Sequence, residues 1–448
     1  MTAAATATGP AGDAAGDVAG EAAHDAGEAA HDAAGAAAGG GTGLRVPLRR
    51  RRFRLLYAGQ CLSRTGDFVF QVSLAGYAVT AGNPALLAYT LFGQATGTVL
   101  MLLVGGALAD RFGARRVMLW ADAARVLATA GVAAQVAAGG QHVWAIAACG
   151  LLLGLGDGAF EPAFTLAFTE LLPKTELLAA NALQSIALRT AGIAGAALGG
   201  VLLAAVGAAG SLALGTAGFT LALALVLVAG SWPTADRPPS GDGLLKEATG
   251  GIRYVFAHRW LWVSIGSFGV SVALVVAPAK ALLPLASADV LGGGAGTYSL
   301  LVGSQAAGAL LGGLLVGRLR RVPPGVLVFG GMTVVCAGFA ALGLSPSVAA
   351  SVGVALVVGA VLSAATVAWA ATLQSRVPGE LIGRVSSVDW LISLGVSPLA
   401  LVAVPHLLGF GAPATVLVAA SVIALAVSAA TVLVPDVRRL AWPAGTAA

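Results

Sequence analysis

The sequence predicts an all-α integral membrane protein, with twelve transmembrane helices in two pseudo-symmetric six-helix halves. Three observations carry this expectation. The 448-residue chain is 58% hydrophobic and 10% charged, with a mean hydropathy of +0.88; globular proteins carry about 25% charged residues. Its apolar runs recur at or above the roughly 20 residues that cross a bilayer. Its basic residues collect at one side of those runs, as in polytopic membrane proteins.

Residues 1–43 are rich in Ala and Gly, with acids at Asp13, Asp17, Glu21, Asp25, Glu28 and Asp32, and the string GEAAHDA occurs twice. Such low complexity cannot bury a core, so a disordered or weakly helical arm is expected. It has no apolar h-region, so no cleavable signal peptide is expected. His24 and His31 belong to the repeat and read as solvated residues rather than a metal site. The charge then reverses at Arg45, Arg49, Arg50, Arg51, Arg52 and Arg54. Beside an apolar helix, this cluster reads as a cytoplasmic anchor and not as a nucleic-acid patch.

Twelve apolar spans follow, at about 53–81, 84–109, 116–138, 142–171, 178–206, 209–231, 260–287, 297–317, 323–343, 347–372, 382–408 and 412–435. Of 25 Lys and Arg, four lie well inside spans, away from their ends: Arg64, Arg125, Arg189 and Lys280. The others fall on one side, and the opposite loops around Gly82–Asn83, Gly139–Gln141, Leu291–Gly294, Ser345–Pro346 and Gly409–Gly411 carry none. Both termini are therefore expected in the cytoplasm. The domain reading is an arm over 1–43, a six-helix half over 44–231, a cytoplasmic linker over 232–259, a second half over 260–435 and a tail over 436–448. Leu244 to Phe256 in the linker has helical apolar spacing that suits a membrane surface.

Between spans 2 and 3 lies Gly105-Gly-Ala-Leu-Ala-Asp110-Arg111-Phe-Gly113-Ala-Arg115-Arg116-Val117. Gly106 permits close helix approach, and Gly113 permits backbone conformations that a larger residue resists. Arg111, Arg115 and Arg116 hold the hairpin on the basic side. Asp110 at the membrane edge needs a cation or a helix N-terminus as partner. The second half repeats the pattern as Gly312-Gly-Leu-Leu-Val-Gly317-Arg318, without the acid. Asp110 is therefore expected to latch onto the other half, near Gly383 and Arg384 at the start of span 11.

Ionisable residues inside spans are functional candidates by default. Arg64 and Asp67 in span 1 are three apart, as are Asp122 and Arg125 in span 3, so each pair can neutralise itself on one helix face. In span 4, Asp157 and Glu161 are four apart with no base on their own helix, an arrangement suited to proton coupling; pairing with Arg189 or Arg125 is the alternative. Arg189 and Lys280 could counter those acids or bind an anionic group. Asp389 in span 11 could pair with Arg384 or help form an inner gate. Gln94, Asn181, Gln184 and Trp369 read as packing residues that could line a cavity. In span 5, Gly192, Gly195, Gly199 and Gly200 form a small-residue face for close packing.

The loop between spans 2 and 3 resembles the loop signature of the major facilitator superfamily. Phe53-Arg54-Leu-Leu-Tyr-Ala-Gly-Gln60, Leu177-Leu-Ala-Ala-Asn181 and Glu380-Leu-Ile-Gly383-Arg384 resemble its macrolide and enterobactin exporter branch. The glycine face of span 5 is similar to the superfamily's antiporter signature, with Ala191 and Ala196 replacing a glycine and a proline. The departures are Ala114 in the loop and Asp389-Trp390, where relatives show an aromatic residue then Arg. The resemblance implies a secondary transporter in the plasma membrane, exporting a drug, macrolide or siderophore-like amphiphile by alternating access. A proton gradient would be its energy source. The alternative is an importer or facilitator of a nutrient or lipid-like molecule. A membrane enzyme or sensor is disfavoured, since no catalytic elbow, Walker loop or metal-ligand spacing occurs, and Cys61, Cys149 and Cys336 are scattered. The expected partners are a small-molecule substrate and the bilayer, with no cofactor, no metal, no nucleic acid and a monomeric state.

Overall fold

The computed structural model describes residues 46–232, 252–292, 295–319, 321–440 and 442. The acidic arm, most of the linker and the end of the tail lie outside the described residues. Among those described there is no strand. The helices are α1 (Arg51–Thr80), α2 (Pro84–Phe112), α3 (Ala114–Ala137) and α4 (Val143–Leu171). The long segment Leu177–Val228 is broken at Gly207, whose φ of 71° and ψ of 179° no helix accommodates; its parts are α5 (177–206) and α6 (208–228). In the second half, α7 comprises Arg259–Ser271, a π-helical turn Val272–Val276 and Ala277–Leu291. Then follow α8 (Ala295–Leu315), α9 (Pro324–Leu344) and α10 (Val348–Arg376). The last two are α11, made of Gly379–Gly395 and Ser397–Leu407, and α12 (Pro413–Leu433).

Local chemistry sets these boundaries. Pro84, Pro324 and Pro413 start their helices, where a fixed φ helps and a missing N–H costs nothing. Gly113 joins α2 to α3 with φ 85°, a value that favours glycine. Among the described residues, ten stretches are long and apolar enough to cross a membrane. One of these, Ala179–Val228, contains both α5 and α6. The first helix falls outside that criterion, because Gln60, Arg64, Asp67 and Gln71 dilute it. Counting these two gives the twelve spans the sequence leads one to expect.

Glycine interlocks hold neighbouring helices together in both halves. In the first, a Cβ on Gly154 of α4 would overlap the backbone of Gln94 in α2. In the second, a Cβ on Gly359 of α10 would overlap the backbone of Gln305 in α8. The same α2–α4 and α8–α10 relationship thus recurs, as an internal repeat requires. Gly154→Ala is expected to force α2 from α4 and cost about 1–3 kcal/mol, as overpacking does. Gly266→Ala, where a Cβ meets nothing within 4 Å, should be close to neutral. Thermal unfolding of the detergent-solubilised variants checks both.

The buried apolar residues form three clusters. One lies at the base-free end and draws on both halves, including Phe70, Leu74 and Leu86 with Val275, Leu282, Leu301 and Leu401. The other two lie at the basic end and stay within one half each. Phe53, Met118, Phe164 and Trp232 belong to the first half, and Leu261, Phe329, Trp369 and Val437 to the second. The halves therefore share a core at the base-free end and part towards the basic end. Of the linker, residues 252–257 are helical, and Val255 is buried in the core of the second half.

Candidate functional site

Six charged side chains inside the spans of the first half, Arg64, Asp67, Asp122, Arg125, Asp157 and Glu161, meet in one network across α1, α3 and α4. Arg125 is only 1% exposed. Its Nη1 donates to Asp122 Oδ1 and to Ser63 Oγ, each at 3.2 Å. Its Nε lies 2.9 Å from Asp157 Oδ1. Its guanidinium carbon stands 4.5 Å from the centroid of the Phe160 ring, where a desolvated cation is attracted by the ring face. Gln94 of α2 donates to Asp157 Oδ2 at 2.9 Å. A Cβ at Gly156 would come 2.9 Å from Arg125 Cγ, so the missing side chain there makes room for the arginine.

Arg64 of α1 sits beside this group. Its Nη1 donates to Asp67 Oδ2 at 3.4 Å, and its Nη2 contacts Glu161 Oε1. Gln184 of α5 donates to Glu161 Oε2 at 3.4 Å. Buried charges persist only when paired and hydrogen-bonded, and each guanidinium here has two carboxylate partners. Among the described residues the network holds four carboxyls, Asp67, Asp122, Asp157 and Glu161, against two guanidiniums.

The structure corrects the sequence reading in several places. Asp157 takes the alternative the sequence offered, pairing with Arg125 of α3, whereas the base beside Glu161 is Arg64 of α1, which the sequence reading did not name. Neither in-span pair is closed on itself, since each arginine is shared with an acid of α4. Gln94 and Gln184 are hydrogen-bond partners of the acids, not packing residues. Asp389 is 8% exposed and accepts a hydrogen bond from Trp369 Nε1 at 3.0 Å; this pair joins α10 to α11. Lys280 of α7 is exposed. It lines a small cavity with Phe70 and Gln71 of α1 and Tyr298 of α8. It acts on Asp157 electrostatically but makes no ion pair with it.

Of the hairpin residues, Arg111 packs over Phe112 at 5.4 Å from the ring centroid, and Arg116 is exposed. Arg115 is half-buried. The side chains of Gly106, Asp110, Arg189, Gly383 and Arg384 lie outside those described. The glycine face of α5 meets two helices. Gly195 packs on Thr65 and Phe68 of α1, and Gly199 on Val69 and Val72. Gly192 approaches Phe68 and Ala306, and Gly200 approaches Ser299 of α8 in the other half.

Sequence reasoning missed the contact of Arg50 with Glu176, where Nη2 and Oε1 are 2.9 Å apart and Nε and Oε2 3.1 Å apart. The hydrogen bond to Glu176 pushes the Arg50 guanidinium up from its ordinary pKa. The two residues are 126 positions apart, so no local spacing could have paired them. Among the described residues no group of three or more His, Cys, Asp or Glu could hold a metal.

The profile of a family described as transmembrane secretion effector matches residues 42–442. Curated relatives include the enterobactin exporter EntS of Escherichia coli O1:K1 / APEC, 28% identical over 308 residues, 67% of this chain and 71% of that protein. EntS of Shigella flexneri matches at the same identity and coverage. Among solved structures, the nucleoside transporter NupG superposes with a TM-score of 0.67 at 13% identity, over 85% of this chain and 98% of that one. A bacterial homologue of the iron transporter ferroportin, in an inward-facing state, gives 0.61 at 18% identity, over 86% and 98%. At those identities the structural likeness is one of fold alone.

Proposed function

Because this chain belongs to the transmembrane secretion effector family, within the major facilitator superfamily, we propose that it is a proton-coupled exporter of an amphiphilic small molecule. It is a multi-pass membrane transporter of exporter type, and both termini are assigned to the cytoplasm from the distribution of bases. The single observation that carries proton coupling is the excess of carboxyls over guanidiniums, among the described residues, in the network of α1, α3 and α4. A net negative charge in a low-dielectric bundle is costly. A proton is a counter-charge that can be taken up and released there as access alternates. Arg64 and Arg125 then hold the acids in register, and Asp157 and Glu161 are the proton-carrying groups.

The core arrangement supports alternating access. The shared cluster at the base-free end is the contact that must part for outward opening, and the two basic-end clusters are the surfaces that must approach. The glycine face of α5, lying on α1 and α8, supplies the smooth contact such rocking needs. The relatives' description as enterobactin exporters supports the outward direction.

The test is transport in inside-out vesicles with a panel from macrolides to catecholate siderophores. At least one member should accumulate when the lumen is acidified, and a protonophore should abolish accumulation. Uptake that ignores the pH gradient would overturn proton coupling. Accumulation in intact expressing cells would overturn export.

A further inference from the structure

We propose that Lys280 is a specificity-determining residue that binds an anionic group of the substrate, so that the transported amphiphile carries a carboxylate or a comparably charged acid. This deepens the transport reading above and rests on it. Lys280 lies in the second half, outside the ion pairs of the acid network. The guanidiniums of Arg64 and Arg125 are already engaged by carboxylates. Among the described residues, Lys280 has no ion pair and no hydrogen bond, and its side chain is exposed. Asp157 is the acid that acts on it electrostatically. Both Asp157 oxygens are taken, however, by Arg125 and Gln94.

The surroundings suit an amphiphile. Phe70 and Leu74 of α1, Leu91 of α2 and Tyr298 of α8 line the same cavity as Lys280. The ammonium thus stands beside an apolar and aromatic wall contributed by both halves. The cavity measures only about 10 Å³ in this state, so a substrate would lay its apolar part on that wall and its anion on the lysine as the halves move apart. The backbone is also irregular beside it. The π-helical turn Val272–Val276 precedes Pro278 and Lys280, and no other span has a π-helical turn among the described residues. Such turns are frequent at functional sites, because they re-aim the side chains that follow. An unpaired charge within a span is otherwise an expense without return.

Binding of three matched probes to the purified full-length protein in nanodiscs tests this: N-(2-naphthoyl)glycine, its uncharged primary amide and N-(2-naphthoyl)ethylenediamine. The wild type should bind the anionic probe at least about tenfold more tightly than the amide, as a charge-assisted hydrogen bond implies. Lys280→Gln should remove that difference, Lys280→Arg should keep it, and Lys280→Glu should favour the cationic probe. Equal binding of the three by the wild type, or binding of none, overturns the proposal. So does discrimination that survives Lys280→Gln. Equilibrium binding does not depend on the direction of transport or on its coupling. A failure of the export reading in vesicles therefore leaves this result standing, and the reverse also holds.

Discussion

Replacing Arg125 by methionine should cost about 3–5 kcal/mol of stability, the usual penalty for removing one partner of a buried ion pair. The side chain is 1% exposed and touches Asp122, Asp157, Ser63 and Phe160. Methionine fills a similar length but leaves two buried carboxyls without their cation. The triple variant Arg125→Met with Asp122→Asn and Asp157→Asn should recover much of the loss, since a neutral cluster carries no unpaired charge. Thermal unfolding in detergent measures both. A single variant as stable as the wild type would show that the arginine is not what holds α3 to α4.

The second large effect is expected from Asp157→Asn with Glu161→Gln. Both replacements keep the shape and can still accept hydrogen bonds from Gln94 and Gln184. Both abolish proton exchange on α4. Substrate should then equilibrate across inside-out vesicles but no longer accumulate when a pH gradient is imposed. Accumulation with unchanged pH dependence would remove α4 from the proton path. Asp67, on the far side of Arg64, would then be the next residue to neutralise.

Much of the fold was legible because the bilayer imposes a simple rule. Each span must satisfy its backbone internally, so it reads as a long apolar run. Prolines and glycines then mark where runs begin and end, as at Pro84, Gly113 and Gly207. The glycines of α5 were visible as a packing face, although their two partners, α1 and α8, were not. The site was legible only as a list of charged residues. Arg64, Asp67, Asp122, Arg125, Asp157 and Glu161 all stood out, because ionisable residues in spans are rare. Their pairing was legible only in part: the same-helix partners were right, but the partners on other helices were not all visible. The spacing of Arg64 to Asp67 and of Asp122 to Arg125 suggested two closed pairs. In the folded chain each arginine also reaches an acid on α4.

By itself, the sequence determined the class of the protein, the approximate limits of its apolar helices and the residues able to carry charge within them. These follow from local chemistry: hydropathy, helix punctuation and the cost of burying an ion. The tertiary structure alone decided which charges meet, that Asp389 is held by the indole of Trp369, that Lys280 has no ion-pair partner among the described residues, and that the halves join at the base-free end. The physical reason is that ion pairs and close helix contacts act over a few ångströms. Residues 62 or 126 positions apart come within that range only after the helices have packed.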